Sequence, residues 1–253
     1  MDKPCIHIYH MYPDLLNLYG DGGNVTCLKA RLEWRGIEAK VSEVKFGDEI
    51  NLENADIVFI GGGPDREQRL ASQEIHNASE QISKYASDNG VLLAICGGYQ
   101  ILGKTWFLDD EDLPGLGILD IETKRPLPGA PRLIGNIALN SEISTLPVIG
   151  YENHAGRTFL GEHVKPFGRV IKGVGKGNND DSCADGVLYK NVIGTYLHGP
   201  LLGKNPEIAD WLLLRALQRR CEKLEISMCM LETLDDHVEI QANNYMAQRL
   251  GVN

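Results

Sequence analysis

The stretch VLLAICGGYQILG, residues 91–103, ends an apolar run with a cysteine and places two glycines directly after it. The segment Ala94-Ile95-Cys96-Gly97-Gly98 has the small-x-nucleophile-x-small pattern of a nucleophile on a sharp strand-to-helix turn. Small neighbours suit such a turn because backbones crowd there. We predict that Cys96 is a catalytic thiol and that the N–H of Gly97 helps to bind an oxyanion. A buried cysteine at a tight turn is the structural alternative.

The stretch IGGGPDRE, residues 60–67, is a second glycine turn that follows a short apolar run. We expect the N–H groups of Gly61, Gly62 and Gly63 to complete an oxyanion hole from a neighbouring strand. The spacing matches neither GxGxxG nor GxxxxGK[ST], and Asp65 would repel a phosphate, so a phosphate loop is disfavoured. An ordinary turn is the alternative.

Two histidines are candidates for the base that activates the cysteine. His198, in VIGTYLHGPLL, ends an apolar run and precedes Gly-Pro, so it can lie on a loop that leaves a strand. From such a loop it would reach a cysteine on the next strand, as Cys–His catalysis requires. His154, in GYENHAGRT, is the other candidate. A lone histidine is more often structural, so the prediction depends on its pairing with Cys96.

The elements that must position these residues follow from the hydrophobic pattern. We predict strands and helices that alternate over the first ~105 residues, which indicates a mostly parallel sheet covered on both faces. The predicted strands are 5–12, 39–44, 55–60 and 91–96, and the predicted helices are 25–35, 72–90 and one beginning at 97. Asp21 or Asn24 can cap the first helix. The predicted fold is α/β and flavodoxin-like.

Residues 113–197 break into short apolar runs separated by Gly, Pro and Asn. We predict that these runs form antiparallel hairpins and edge strands added to the sheet. Two further helices are expected at 206–220 and 231–250. No linker-like segment interrupts the chain, so we expect a single domain over 1–253, with 221–253 as a C-terminal helical extension.

Composition excludes several classes of function. The 253 residues carry a formal net charge of −10, which disfavours binding to nucleic acid or to an anionic membrane. No apolar stretch approaches the ~18 residues that span a bilayer, and we expect a cytoplasmic protein without membrane insertion. The six cysteines show no CxxC spacing, so reduced thiols and no metal site are expected. One of them, Cys229, lies outside the residues that the structure describes.

Taken together, these motifs resemble the class I, or triad-type, glutamine amidotransferases. The form YLHG narrows the resemblance to the cobyric-acid-synthase-like branch, and the order of the motifs is similar to that of the glutaminase subunits of lipid II isoglutaminyl synthases. The resemblance spans residues 5 to 220 and rests on five segments in collinear order: NLYGDGGN (17–24), GGGPDREQ (61–68), ICGGYQILG (95–103), GYENHAGRT (150–158) and GTYLHGPLL (194–202).

The resemblance implies roles for particular residues. Cys96 would attack the side-chain amide of L-glutamine, and His198 would protonate the leaving ammonia and then activate water. Arg132, in PRLIGNI, would hold the α-carboxylate of glutamine, which suits a guanidinium. Gln100 would be a further residue of the site. Asn153 and His154 share the GYENHAGRT motif and are included as candidates.

One departure from the family pattern concerns the third member of the triad. The acid usually follows the histidine by two residues, but that position is Pro200. The isolated chain is therefore expected to be a poor glutaminase, with the acid supplied by a partner. Glu152 is a substitute within the chain, and Asp21 is either close to the site or a helix cap.

The implied partner is a Mur-ligase-like catalytic subunit that forms a heterodimer with this chain. It would use ATP and Mg²⁺ to activate the α-carboxyl of D-glutamate in lipid II, whereas this chain would need no cofactor. Three alternatives stay open: an amidotransferase for cobyric acid or another acceptor, a stand-alone γ-glutamyl cysteine hydrolase, and a non-catalytic binding subunit.

Overall fold

The computed structural model describes residues 4–108, 111–173, 175–227 and 230–252. Its centre is a six-stranded sheet in which every neighbouring pair is parallel except the last hairpin. The sheet contains β1 (Ile6–Met11), β2 (Ala39–Val44), β3 (Ile57–Ile60), β4 (Val91–Ile95), β13 (Val187–Tyr189) and β14 (Val192–Thr195). The order β2-β1-β3-β4-β14 is the flavodoxin-like order, so the predicted fold class is confirmed.

Helices cover the sheet and explain why β3 and β4 are buried along their whole length. They are α1 (Gly23–Glu33), α2 (Asp65–Asn77), α3 (Ser79–Ser87), α4 (Gly97–Ile101), α5 (Pro206–Lys223) and α6 (His237–Leu250). The single helix predicted over 72–90 is wrong: the segment contains the end of α2 and the whole of α3. The two helices are separate because the backbone leaves helical geometry at Ala78. The helix predicted from residue 97 ends at Ile101 and is followed by a strand.

The middle of the chain departs from the prediction. Among the strands described between residues 105 and 195, β13 and β14 alone join the central sheet, and the others form two separate four-stranded sheets. One sheet contains β5 (Thr105–Leu108), β6 (Glu111–Pro114), β7 (Ile121–Lys124) and β10 (Arg157–Leu160), and the other contains β8 (Leu133–Asn140), β9 (Val148–His154), β11 (Gly168–Gly173) and β12 (Ala184–Asp185). In this second sheet, β8 and β9 pair over seven positions and form a long antiparallel layer, the β8–β9 layer.

Helix α6 packs on the β8–β9 layer through a small apolar cluster of Ala138, Ile149 and Ala247. Its first turn is tied to α1, because the guanidinium of Arg31 donates to Asp236 at 2.7 Å while it also donates to Asp210 of α5. The predicted final helix therefore exists, although it begins six residues later than expected. Within the described ranges, no helix combines the length and the apolar character needed to cross a bilayer.

Candidate active site

Cys96 lies between β4 and α4 in a backbone conformation that is rare for an L-residue, with φ 51° and ψ −105°. The glycines after it are required by close packing: a Cβ on Gly97 would lie 2.5 Å from the side chain of Gln68, and one on Gly98 would lie 2.8 Å from the carbonyl oxygen of Ile60. The strained turn matches the predicted elbow. Helix α4 has only five residues, so its dipole acts on the thiol less than a long helix would.

His198 lies three residues beyond β14, whose neighbour in the sheet is β4. The two strands are parallel, so their carboxyl ends meet, and the N–H of Cys96 donates to the carbonyl of Thr195 at 2.8 Å. A Cβ placed on Gly62 would lie 3.1 Å from both Cys96 Cβ and His198 Cε1, which brings the thiol and the imidazole to one point. The sheet topology therefore joins the predicted Cys–His pair.

Asp21 accepts from the imidazole of His198, with its two carboxylate oxygens each 3.0 Å from Nδ1. Burial alone would lower the pKa of His198, but Asp21 and the sulfur of Cys96 outweigh it and raise the pKa to about 10. The other ring nitrogen, Nε2, is buried and has no hydrogen-bond partner among the described residues. That nitrogen is left for proton exchange at the sulfur.

The position of Asp21 corrects two expectations. The residue that caps α1 is Gly22, and Asp21 does not act as the helix cap. The site also has an acid within this chain, although position 200 lacks one. Pro200 instead packs against the start of α1, where a Cβ on Gly23 would lie 2.6 Å from Pro200 Cγ. The carboxylate thus reaches His198 from the loop that follows β1 rather than from the histidine's own loop.

The glycine loop after β3 lies against the elbow, as predicted. The carbonyl of Gly61 accepts from the N–H of Gly98 at 3.2 Å, and the carbonyl of Gly63 accepts from Gln68 Nε2 at 2.5 Å. The N–H of Gly62, however, already donates to Asp21 Oδ2 at 3.1 Å. The N–H groups of Gly61, Gly63 and Gly97 stay predictions for the oxyanion hole.

A cavity opens beside the thiol and brings together several of the predicted substrate-binding residues. Arg132 lies at its exposed rim and donates from Nε to Asn153 Oδ1 at 3.0 Å and from Nη2 to the Asn153 carbonyl at 3.1 Å. These two bonds fix the plane of the guanidinium and leave other N–H groups for a ligand. The cavity is lined by Asp65, Gln68, Cys96, Gln100, Phe107, Leu108, Arg132, His154, Ala155 and Gly156.

Gln100 and His154 are held by a common neighbour at the base of this cavity. Gln100 Nε2 donates to the hydroxyl of Tyr196 at 3.0 Å, and the ring of His154 stacks on that of Tyr196 with centroids 3.5 Å apart. Burial lowers the pKa of His154, so its neutral form is favoured. Both residues shape the cavity wall, while His198 is the histidine beside Cys96.

Glu152 does not replace the missing acid at position 200. Its buried carboxylate accepts from the backbone N–H groups of Lys176 at 2.6 Å and Gly177 at 2.7 Å, and it lies 3.6 Å from His154 Nε2. The side chain therefore anchors the loop around residues 175–177. The acid that contacts His198 is Asp21.

Sequence reasoning missed Tyr19, whose ring lies against that of His198 with centroids 5.0 Å apart. Tyr19 has a left-handed backbone, with φ 56°, and Gly20 follows with φ 76°. A sequence signal for this residue was present in the NLYGDGGN motif, where Tyr19 and Gly20 directly precede Asp21. It could not be interpreted because nothing local shows that this loop returns to the histidine.

The four segments of the site all follow the carboxyl ends of parallel strands, where flavodoxin-like sheets bind ligands. A solved structure described as a glutamine amidotransferase has a related fold, with a TM-score of 0.56. The match covers 82% of this chain and 98% of that chain at 22% identity, which shows the fold. Residues 7–206 also match the CobB/CobQ-like glutamine amidotransferase domain. The chain belongs to this family.

Curated relatives are similar along most of the chain. A protein of Staphylococcus aureus (strain N315), named as the GatD subunit of the glutamine-hydrolysing lipid II isoglutaminyl synthase, is 41% identical over 96% of this chain and 95% of its own. Its Streptococcus pneumoniae (strain R6) counterpart is 38% identical over 85% and 82%. A cobyric acid synthase of Listeria innocua is 36% identical, but over 58% of this chain and 29% of its own. The predicted resemblance is confirmed.

Proposed function

We propose that this chain is a glutaminase subunit that hydrolyses L-glutamine to glutamate and ammonia. The observation that carries the proposal is the contact of His198 with Asp21 beside the thiol of Cys96. A nucleophile, a base that reaches it and a carboxylate that orients the base form the arrangement that cysteine-dependent acyl transfer requires. Arg132 at the rim of the adjoining cavity supplies a cation for the α-carboxylate of the substrate.

The proposed reaction proceeds through a thioester on Cys96. His198 accepts the thiol proton, and the thiolate attacks the side-chain carbonyl carbon of glutamine to give a tetrahedral oxyanion beside the N–H groups of Gly61, Gly63 and Gly97. His198 then returns the proton to the nitrogen, and ammonia leaves as the thioester forms. Water, deprotonated by His198, attacks the thioester carbonyl. Glutamate is released and the thiol is restored by the same proton.

Asp21 is proposed to orient His198 in this reaction. Its carboxylate accepts from Nδ1, which keeps Nε2 directed to the sulfur and stabilises the imidazolium formed during the attack. Because Asp21 also accepts a hydrogen bond from the N–H of Gly62, the glycine loop holds the carboxylate in place. A chain that carries its own acid need not depend on a partner for this group.

We further propose that the ammonia passes to a Mur-ligase-like partner, which uses ATP and Mg²⁺ to amidate the α-carboxyl of D-glutamate in lipid II. The near-complete alignment with two GatD subunits supports this acceptor over cobyric acid, whose synthase aligns with little more than half of the chain. The proposal places the heterodimer in the cytoplasm, where the free thiols of the chain would stay reduced.

The proposal is tested by ammonia release from glutamine, measured with the chain alone and with a candidate partner. Cys96→Ala and His198→Ala are expected to abolish release. Asp21→Asn is expected to lower kcat by about 10²-fold or more. Asp88→Asn is the matched control, because this exposed carboxylate precedes β4 and lies at the opposite edge of the sheet. Absence of ammonia release under both conditions would contradict the proposed glutaminase.

Two arms of the same experiment separate the remaining alternatives. If the chain needs the partner and Asp21→Asn remains as active as the unchanged complex, the partner supplies the acid. The Asp21–His198 contact also removes the main objection to a stand-alone hydrolase, so γ-glutamyl peptides are offered as substrates in parallel. Release of amines from these peptides at rates above those for glutamine would favour the hydrolase.

A further inference from the structure

Tyr19 lies at the outer side of the catalytic histidine. Its ring contacts that of His198 edge to face, with centroids 5.0 Å and planes 68° apart, and lies 6.0 Å from the ring of Tyr151. The side chain of Tyr19 is 44% exposed, whereas His198 is fully buried. Tyr19 therefore stands between the imidazole and solvent, and it limits rotation of the imidazole away from Asp21.

The loop holds Tyr19 in a left-handed conformation that a tyrosine rarely adopts. Neighbouring bonds maintain this conformation: the N–H of Leu18 donates to the carbonyl of Gly62 at 2.9 Å, and the N–H of Gly22 donates to Asn17 Oδ1 at 2.8 Å. Such strain is retained where the surrounding structure demands it, and it concentrates at functional sites. Here its consequence is the placement of the ring on His198.

A polar bridge joins the same tyrosine to the rim of the substrate cavity. The amide of Asn153 accepts from Arg132 Nε through Oδ1 and donates to the hydroxyl of Tyr19 through Nδ2. The two bonds fix the orientation of the amide, since its oxygen faces the guanidinium and its nitrogen faces the phenol. One asparagine side chain thus links the cation at the cavity rim to the ring on the catalytic histidine.

We propose that Tyr19 is a positioning residue with two separate actions: its ring holds His198 in line with Asp21, and its hydroxyl, through Asn153, holds the guanidinium of Arg132 for the substrate carboxylate. The inference rests on the proposed glutaminase function and adds to it. Tyr19 touches no reacting atom: its ring acts through His198, and its hydroxyl acts through Asn153. The ring and the hydroxyl therefore affect different kinetic constants, with the ring acting on kcat and the hydroxyl on KM.

Substitutions at Tyr19 separate these two effects. Tyr19→Phe keeps the ring and removes the bridge, so KM for glutamine is expected to rise about fivefold, the effect of one hydrogen bond, with kcat unchanged. Tyr19→Ala also removes the ring, and kcat is expected to fall about tenfold because the general base is less well held. Restoration of kcat by phenylalanine at this position distinguishes positioning from simple folding. Tyr245→Ala, which removes an exposed ring from α6, is the matched control.

A double-mutant cycle tests the bridge. Asn153→Ala is expected to raise KM, and adding Tyr19→Phe to it should raise KM no further because both changes break the same link. Additive effects of the two changes on KM, or a Tyr19→Ala chain with unchanged kcat, would overturn the inference while the glutaminase proposal stands. If the unchanged chain releases no ammonia with or without a partner, the proposed function falls and the inference falls with it.

Discussion

The Nδ1 atom of His198 lies 3.0 Å from both carboxylate oxygens of Asp21, across 177 positions of sequence. Both side chains are fully buried, so water does not solvate either group. Such a pair gives the imidazole a preferred orientation and favours its charged form. Because the two residues follow β14 and β1, the pairing depends on the central sheet being complete.

The first prediction concerns pH and stability. Since the folded-state pKa of His198 is raised to about 10 from an ordinary 6.5, its stabilisation is full below pH 6.5 and is lost as pH rises through 10. Asp21→Asn removes one cause of the shift and should reduce this loss. Urea unfolding at pH 6.5 and pH 10 measures the change in the free energy of unfolding for the unchanged chain and for Asp21→Asn. Groups that titrate in the same way in the two proteins contribute equally and drop out of the comparison. Equal losses in the two proteins would contradict the prediction.

The second prediction concerns the strained elbow. Cys96→Gly should be more stable than Cys96→Ala by about 1 kcal/mol, because glycine adopts a positive φ at little cost. Both variants should be inactive. The same pair of changes at Cys221, in the last turn of helix α5, should show the opposite order, because glycine disfavours a helix relative to alanine. Denaturant unfolding of the four variants provides the measurement, and the same order at both positions would refute the explanation.

The third prediction concerns the packing of Pro200 on α1. Gly23→Ala should reduce glutaminase activity, because the new methyl would overlap the proline ring and displace the loop that carries His198. Pro200→Ala alone should have a smaller effect. The double variant should be more active than Gly23→Ala, since the ring atoms that clash are gone. A double variant as inactive as Gly23→Ala would show that the contact is not the cause.

The fourth prediction concerns Arg132. Arg132→Ala should raise KM for glutamine by about 100-fold with a smaller effect on kcat, since the proposed role of the guanidinium is to bind the α-carboxylate, away from the reacting carbon. Arg132→Lys should recover only part of the loss because lysine keeps the charge but not the planar fork. Arg169→Lys, an exposed arginine of β11, serves as the control. A fall in kcat at constant KM would instead place Arg132 in the chemical step.

The fifth prediction concerns the attachment of α6. Asn243 is fully buried, and its Nδ2 donates at 2.8 Å to the carbonyls of Pro147 and Lys204. Asn243→Ala should lower the free energy of unfolding by about 1–3 kcal/mol, because buried carbonyl groups lose their donor. Asn244→Ala, its exposed neighbour, should change stability by less than about 0.5 kcal/mol. Equal effects of the two changes would show that this buried amide does not anchor the helix.

The strands β1, β2 and β4 and the elbow at Cys96 were predictable because their signals are local: an apolar run, a cysteine and glycines. Asp21 was not assigned its place, since an acidic residue before a helix has the same local appearance as a cap. Its partner in the structure, His198, lies 177 positions further along the chain. The two additional sheets were not predicted for a similar reason: strands that are far apart in the sequence pair with one another, and the local sequence does not show which strands will pair.

The location of His198 just beyond β14 has a consequence for biosynthesis. Ribosomes deliver the thiol about a hundred residues before the histidine, and β14 is the last strand to insert beside β4. Until that insertion, the nascent polypeptide carries Cys96 without its base, and Asp21 without the imidazole it will orient. If the chain is the glutaminase proposed above, glutamine hydrolysis cannot begin before residue 198 is translated, because the thiol has no base until then.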